Sequence, residues 1–333
     1  MSPSASTALR AVPSPSPRQS GGARSFLSVL DFTTAELQSA LALAARVKRE
    51  RALGSCAPTA RALTGRHVAL LFDKPSLRTR VTFEVAVREL GGEVLTLPPE
   101  VALGGREPVA DVARNLERWV HAVVIRTFAQ RTVKDFAAAA PALAVVNALT
   151  DEEHPCQALA DFLTLQERVR QLAGRTVAFV GDGNNVAASL AHAGVMLGVT
   201  VRVASPRGYE LPAHVIEQCY AVAQHGAQVV QVEDPGEAVH GATAIYTDVW
   251  TSMGQEDELP ERRRTFAPYQ VTPSLMRRAE RGASFMHCLP AHRGEEVHEE
   301  VFESPASLVF EQAENRLHAQ KALLLTLLAP SHA

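Results

Sequence analysis

Two patterns of hydrophobic and polar residues alternate along the chain. Short apolar runs such as His67–Phe72 and Thr176–Val180 are typical of buried strands. Between such runs, apolar residues recur at helical spacing, and Thr79–Leu90 matches the i, i+3, i+4, i+7 pattern. The predicted strands are His67–Phe72, Glu93–Leu97, His121–Thr127, Ala142–Asn147, Thr176–Val180, Val199–Ala204, Gln228–Val232, Ala242–Asp248 and Ser284–Cys288. The predicted helices are Phe32–Glu50, Thr79–Leu90, Val109–Trp119, His154–Leu172, Val186–Leu197, Ala213–Gln224, Pro273–Arg281 and Glu311–Leu328.

Strands that alternate with helices predict an α/β fold whose parallel sheets are covered on both faces. Two such series occur, and 333 residues is a length typical of two domains. We therefore expect two doubly wound parallel-sheet domains with the active site in the cleft between them. The first domain is predicted over residues 25–150 and the second over 151–316, with a terminal helix, 317–333, that packs back on the first.

Residues 1–24 differ from the rest in being rich in serine and proline, with arginine as their only charged residue type. This composition predicts a disordered tail, because it offers little apolar surface to bury. Organelle transit peptides are also rich in arginine and serine and poor in acids, so that alternative stays open. The prolines at positions 13, 15 and 17 disfavour the amphipathic helix that such peptides form.

Charge and cysteine content narrow the class of protein. With 33 basic and 36 acidic residues the net charge is −3, which argues against a dedicated nucleic-acid-binding protein. No apolar run is long enough to predict a membrane span. The four cysteines are far apart, which disfavours a disulfide framework and a structural zinc site and favours a reducing, cytoplasmic location.

Candidate site residues follow the predicted strands of the first half, where ligands bind in open parallel sheets. Ser76–Arg80 opens a helix with hydroxyl groups and arginines, as a phosphate site requires, although a plain N-cap followed by surface arginines fits too. Arg126 lies at the carboxyl end of the predicted strand His121–Thr127. His154 and Gln157 lie at i and i+3, where two neutral donors could hold a carbonyl oxygen; a helix cap or a metal ligand pair are the alternatives.

The second half contains a segment, Gly181–Asn185, that invites a dinucleotide interpretation. The third glycine of that fingerprint is replaced by Val186, and the next strand ends near Ser205 without an acidic residue. A nicotinamide-dependent oxidoreductase is therefore disfavoured. Asp248 could pair with an ammonium group or cap a loop. Cys288 could be a nucleophile, a base, a substrate contact or an inert buried thiol.

Taken together, several segments resemble the aspartate/ornithine carbamoyltransferase family, over about residues 26–328. The segments that carry the resemblance are Phe72–Glu84, Val124–Phe128, Asp151–Gln157, Gly181–Val186, Asp248–Gly254, His287–Pro290 with Arg293 and Gly294, and Glu314–Arg316. The resemblance implies carbamoyl transfer from carbamoyl phosphate to the δ-amine of L-ornithine, in arginine metabolism, by a homotrimer or a multiple of trimers. It implies no metal and no organic cofactor.

The resemblance also implies a role for individual residues. The catalytic residues would be Cys288, Arg78, Arg126 and His154. The carbamoyl phosphate contacts would be Ser76, Leu77, Arg78, Thr79, Arg126, His154, Gln157, Cys288, Leu289 and Arg316. The ornithine contacts would be Asn185, Asp248, Ser252 and Met253.

Two departures from the family pattern stand out. Leu77 replaces a threonine that is frequent in the phosphate segment, a contact that a main-chain N–H can make. Ala102 and Pro108 replace residues of a loop that reaches a neighbouring subunit's site, so we hypothesise that Arg106 substitutes. Alternatives that stay open are a sibling transferase for acylated ornithine or putrescine, and a non-catalytic binding protein on the same fold.

Overall fold

The computed structural model describes residues 22–103, 105, 107–251 and 256–333. The side chains of residues 101, 102 and 256 fall outside this description, as do Arg106, Ser252, Met253 and most of the predicted tail. The described chain begins inside the segment predicted as a tail. There the Ala23 N–H donates to the Pro141 carbonyl (2.8 Å), and Arg24 pairs with Glu36.

The first sheet forms because most of its strands are runs of Val, Ile, Leu and Ala that can be buried on both faces, whereas its edge strand Glu93–Leu97 is partly exposed. Its strands are β1 (His67–Phe72), β2 (Glu93–Leu97), β3 (Ala122–Arg126) and β4 (Ala144–Leu149). Their spatial order is β2-β1-β3-β4, and every neighbouring pair is parallel. The register places Phe72 at the end of β1 beside Arg126 at the end of β3.

The second sheet is also parallel throughout. Its strands are β5 (Thr176–Val180), β6 (Thr200–Ala204), β7 (Val229–Val232), β8 (Ala244–Thr247) and β9 (Ser284–His287). Their order is β7-β6-β5-β8-β9. The predicted architecture of two doubly wound parallel sheets is therefore confirmed.

Helices cover both sheets. They are α1 (Thr34–Glu50), α2 (Leu77–Glu89), α3 (Pro99–Ala102), α4 (Val109–Glu117), α5 (Gln130–Ala139), α6 (Pro155–Val169), α7 (Asn185–Met196), α8 (Ala213–Val222), α9 (Pro235–Val239), α10 (Leu259–Phe266), α11 (Pro273–Met276), α12 (Glu299–Phe302) and α13 (Val309–Leu328). Short 3-10 turns cover Val29–Asp31, Arg51–Cys56, Glu256–Glu258, Ala267–Tyr269 and Pro330–His332.

Each sheet has one point where the strand order reverses. In the first sheet the chain leaves the adjacent strands β1 and β3 in opposite directions, and in the second it does so from β5 and β8. Loops diverge at such switch points and open a crevice at the carboxyl ends of the strands. The fold thus creates one crevice in each domain, and the candidate residues follow these strands.

The long helices α6 and α13 join the two halves. Helix α13 packs against α1, α2 and α6, and α6 packs against α7 of the second half. The apolar side chains of these helices belong to one continuous core that includes Phe26, Phe162 and Leu324. A side chain on α13 can therefore reach residues of the first domain.

Several predictions of local structure were inaccurate; α3, α9, α10 and α12, for example, were not predicted. The helix predicted over Pro273–Arg281 ends at Met276, because the chain turns there to lead into β9 and the Glu280 N–H bonds to the Ala242 carbonyl. Helix α5 was not predicted: Ala129 precedes it without a side-chain cap, and its last turn is a run of alanines that gives no periodic signal.

Candidate active site

The anion-binding candidate lies at the start of α2, directly after β1. Ser76 is the N-cap, and its hydroxyl accepts the Thr79 N–H at 3.3 Å. The Thr79 hydroxyl is buried and accepts a bond from Arg316 Nη2 of α13 at 2.6 Å. Leu77 is 76% exposed, and because its side chain has no polar group, only its backbone N–H can bind an anion at this terminus.

Three arginines from distant parts of the chain meet here. Arg126, at the end of β3, is buried beside Arg316 and Arg78. Burial, followed by the charges of Arg316 and Arg78, lowers the pKa of Arg126 to about 10, against the opposing influence of Cys288 and Asp248. Burial likewise lowers the pKa of Arg316. Like charges held this close to one another are typical of a site for a multiply charged small anion such as phosphate.

His154 and Gln157 lie at the start of α6, next to the arginines. Burial, Arg316 and Arg126 hold the pKa of His154 well below its usual range, so its imidazole is neutral. Two of their buried atoms, His154 Nδ1 and Gln157 Oε1, have no hydrogen-bond partner among the described residues, and the same holds for the Nε atoms of Arg126 and Arg316. Buried polar atoms normally have partners, and a polar ligand between these side chains would supply them.

A buried carboxyl, Asp161, orients Gln157 from one helical turn below. Asp161 Oδ1 accepts bonds from Gln157 Nε2 (2.7 Å) and Gln312 Nε2 (2.6 Å), and Tyr246 donates its hydroxyl hydrogen to Oδ2 (3.2 Å). Burial raises the pKa of Asp161 to about 7 despite these bonds. Gln312 Oε1 in turn accepts the His287 N–H (3.0 Å), which connects α13 to the end of β9.

Across from the arginines, the second sheet contributes a carboxylate and a thiol. Asp248 follows β8 and is buried; its Oδ1 accepts the Cys288 thiol hydrogen (3.0 Å), and its Oδ2 accepts a bond from Asn184 Nδ2 (2.9 Å). Asn184 Oδ1 also caps α7. Burial, and then the Asp248 charge, raise the pKa of the Cys288 thiol well above its usual range. The sulfur is therefore a protonated hydrogen-bond donor in this structure.

The loop before α6 reaches the other predicted ornithine contact. Asn185, the first residue of α7, donates from Nδ2 to the Thr150 carbonyl (2.5 Å). The structure thus brings Asn185, Asp248 and Cys288 to the carboxyl end of the second sheet. Ser252 and Met253 lie outside the described residues.

The turn after Cys288 is held from behind by His287 and Glu296. His287 Nδ1 accepts the Leu289 N–H (2.8 Å), and Nε2 lies 3.2 Å from Glu296 Oε1. Leu289 has a φ of 62°, a conformation that non-glycine residues seldom adopt. The fixed imidazole therefore maintains an unusual backbone shape directly after the thiol.

Within the described residues, one group of potential metal ligands is close enough to consider. Ligand atoms of Asp248, His287 and Cys288 lie within 4.8 Å of one another. Both His287 nitrogens are already occupied, by Leu289 and Glu296, so this ring has no free lone pair to offer. The group does not fit a metal ion without rearrangement, and the absence of a metal site stays a prediction.

Sequence reasoning missed the residues that hold the second crevice together. Arg262 of α10 is buried and forms an ion pair with Asp182, which follows β5. Its Nε also donates to the Trp250 carbonyl (2.6 Å), so it joins the ends of β5 and β8. Arg262 lies in a strongly charged helix whose sequence is typical of a solvent-exposed helix. Its burial could therefore not be predicted from the sequence.

Comparison with known proteins matches two successive parts of the chain to models of one family. Residues 24–167 match the family model described as the carbamoyl-P binding domain of aspartate/ornithine carbamoyltransferase, and residues 173–327 match its Asp/Orn binding domain. Within the described part of the chain, every helix is too short or too polar to cross a lipid bilayer.

Individual relatives are similar over nearly their whole length. An ornithine carbamoyltransferase of Parasynechococcus marenigrum is 49% identical over 92% of this chain and 94% of its own; one from Acidothermus cellulolyticus is 50% identical over 92% and 96%. Among solved structures, the ornithine carbamoyltransferase from Pyrococcus furiosus is 46% identical, with a TM-score of 0.87 over 91% of this chain and 96% of that one.

Proposed function

Since the chain belongs to the aspartate/ornithine carbamoyltransferase family, we propose that it transfers the carbamoyl group of carbamoyl phosphate to the δ-amine of L-ornithine, giving L-citrulline and phosphate. The observation that carries this proposal is the apposition of two switch points, one cationic and one with a carboxylate. A cationic pocket suits the phosphate dianion, and a carboxylate suits an amino acid's ammonium group. No observation favours the sibling substrates putrescine or acylated ornithine.

At the first switch point, Ser76, the Leu77 backbone, Arg78 and Thr79 are proposed to hold the phosphate together with Arg126 and Arg316. His154 and Gln157 then face the carbamoyl group. A neutral imidazole can donate to the carbonyl oxygen without adding a fourth positive charge. As the amine attacks, negative charge grows on that oxygen, and donors already in place stabilise it.

The step is a substitution at carbon. A bond forms between the δ-nitrogen of ornithine and the carbamoyl carbon, the bond from that carbon to the phosphate oxygen breaks, and the amine proton passes to the departing phosphate. At the second switch point, Asp248 and Asn185, with Ser252 and Met253, are proposed to bind the amino-acid end of ornithine.

The bond from Cys288 to Asp248 supports a role for this thiol as a hydrogen-bond donor. Because its thiol is protonated and bonded to Asp248, we propose that Cys288 orients this carboxylate toward the substrate. The adjoining Leu289 backbone is proposed to contact carbamoyl phosphate. In this arrangement the thiol is neither the nucleophile nor the base.

We further propose a homotrimer that works in arginine metabolism in the cytoplasm. Helix α2 presents exposed Leu77 and Val81 beside the phosphate site, which supports burial of this surface by another subunit. All four cysteines are free, which supports a reducing compartment. Light scattering should report a mass roughly three times 35.8 kDa.

Turnover with matched acceptors tests the proposed reaction. Purified protein is incubated with carbamoyl phosphate and either L-ornithine, putrescine or N-acetylornithine, and the carbamoylated product is quantified. We expect citrulline from L-ornithine, and rates at least about 100-fold lower with the other two, because each lacks one charge of the amino-acid end. Turnover with putrescine alone would contradict the proposal.

A further inference from the structure

Glu153 directly precedes His154, is buried, and has no part in the proposed chemistry so far. Its carboxylate lies where three segments of the chain meet. Ser28 Oγ donates to Oε1 (2.5 Å), the Val29 N–H donates to Oε2 (3.3 Å), and Ser189 Oγ of α7 donates to Oε2 (3.1 Å). Burial of a carboxylate reduces stability unless the carboxylate is paired, so we expect a glutamate at this position to have a role.

The carboxylate is connected to the backbone of His154 through one hydroxyl group. Ser189 Oγ accepts the His154 N–H at 2.8 Å. A serine hydroxyl carries a single hydrogen, and that hydrogen points to Glu153. The lone pair of Ser189 is therefore fixed toward His154, the N-cap residue of α6.

A second connection runs to the ornithine side. Glu153 and Thr150 close a tight turn: the Glu153 N–H donates to Thr150 Oγ1 (3.2 Å), and the Thr150 N–H donates to the Glu153 carbonyl (2.9 Å). The Thr150 carbonyl is the acceptor for Asn185 Nδ2. One turn of the chain thus carries both His154 and the partner of Asn185.

The surroundings of Glu153 keep it ionised. Burial is the largest influence and disfavours the charge, but His192, Ser28 and the Val29 N–H outweigh it, so the pKa of Glu153 is lowered. His192 Nδ1 lies 3.8 Å from Oε2 and is itself buried. The carboxylate therefore acts as an acceptor only, and it cannot exchange its role with the hydroxyls that donate to it.

We propose that Glu153 is a positioning residue. It fixes His154, through Ser189, and Asn185, through the Thr150 turn, at a set position relative to each other. This inference rests on the proposed function of His154 and Asn185. If Glu153 only joined the three segments, removal of either hydroxyl partner would reduce activity by the same amount. A positioning residue requires the Ser189 connection in particular.

Two serine variants separate these possibilities. Ser189→Ala and Ser28→Ala each remove one hydroxyl that donates to Glu153, but only Ser189 also contacts His154. We expect Ser189→Ala to lower kcat about 10-fold or more and to raise KM for carbamoyl phosphate, because small misplacements of catalytic groups have large effects on rate. Ser28→Ala should stay within about twofold of the parent kcat. The two thermal midpoints should fall by similar amounts.

Glu153→Gln tests the carboxylate itself. The amide places a donor where Ser28 and Ser189 also donate, so we expect KM to rise for both carbamoyl phosphate and ornithine. Equal losses of kcat in Ser189→Ala and Ser28→Ala, or losses that follow thermal stability, would overturn the inference, even if Glu153→Gln did not fold.

The same proteins distinguish this inference from the proposed reaction. If the parent protein makes no citrulline, the proposed reaction fails, and the positioning claim is then decided by calorimetric titration with carbamoyl phosphate. Weaker binding in Ser189→Ala than in Ser28→Ala supports it, and equal binding overturns it.

Discussion

The switch points of the two sheets differ in the chemistry that they offer to a polar ligand. At the first, Arg126 and its arginine neighbours form a cluster of like charges, and the Nε atoms of Arg126 and Arg316 lack partners among the described residues. At the second, Asp248 is bonded on both oxygens, to Cys288 and Asn184. The first site stores unfavourable electrostatic energy that a dianion would relieve, whereas the second is already satisfied and needs little rearrangement.

This difference suggests that the two domains bind their ligands by different physical effects. Buried like charges destabilise the free protein, so we expect the first site to gain binding energy chiefly from the charge of its ligand. At the second site we expect orientation to matter more, because both oxygens of Asp248 already accept hydrogen bonds, from Cys288 and Asn184.

Removing a cation at the first switch point should separate activity from stability. Arg126→Met is expected to lower kcat by about 100- to 1,000-fold, the usual loss when one preorganised donor to the developing charge is removed. The thermal midpoint of the ligand-free protein should stay level or rise, because burial and the other arginines disfavour this charge. Steady-state kinetics and thermal denaturation measure the two effects.

Arg131→Met is the matched control for that variant. Arg131 lies on α5, is 87% exposed at its side chain and pairs only with Asp135 within the described chain, so both quantities should be unchanged. A fall of less than about threefold in the kcat of Arg126→Met would remove the cationic cluster from the proposed chemistry.

Neutralising the second switch point should affect the other substrate. Asp248→Asn keeps the shape but removes the charge, so KM for ornithine should rise by about 10- to 100-fold, in line with a charge-assisted bond. KM for carbamoyl phosphate should change by less than about twofold. If instead the KM for carbamoyl phosphate rises as much, the two sites are not separate in function.

Substitutions of Cys288 test whether the sulfur acts as a donor. We expect Cys288→Ser, which can still donate to Asp248, to retain at least several-fold more kcat/KM for ornithine than Cys288→Ala. Iodoacetamide at pH 8 should also modify exposed Cys56 faster than Cys288, whose thiol pKa is raised. Equal inactivity of both variants together with fast alkylation would indicate a reactive thiolate instead.

The smallest expected effect is a change in how stability depends on pH. Burial raises the pKa of Asp161 to about 7, so the folded protein binds this proton more tightly than the unfolded chain does. Stability from this group is therefore present at low pH and is lost as pH rises from about 4 to about 7. Asp161→Asn should gain thermal stability relative to the parent over that range. A constant difference between the two would contradict the raised pKa.

Some of the site could be predicted from sequence because topology alone determines where strand ends meet. Ser76–Arg80 and Arg126 follow apolar runs that could only be buried strands, and parallel strands bring their carboxyl ends to one edge. The same reasoning located Asp248 and Cys288. It also predicted the fold class, since alternating strands and helices allow few other architectures.

Other residues could not be predicted, because their roles depend on partners far away in sequence. Glu153 bonds to Ser28, 125 positions earlier, and Arg262 bonds to Asp182 of another loop. Gln312 lies on a helix whose apolar pattern predicts core packing, yet it connects Asp161 to the end of β9. Such contacts follow from the packing of whole elements against one another, which no local pattern records.

Equilibrium binding of carbamoyl phosphate tests the division between the two switch points most directly. Calorimetric titration of the full chain should show about one site per chain. Binding should be lost, or weakened by at least about 100-fold, in Arg126→Met and preserved in Asp248→Asn. Preserved binding in Arg126→Met, or equal loss in both variants, would contradict the account.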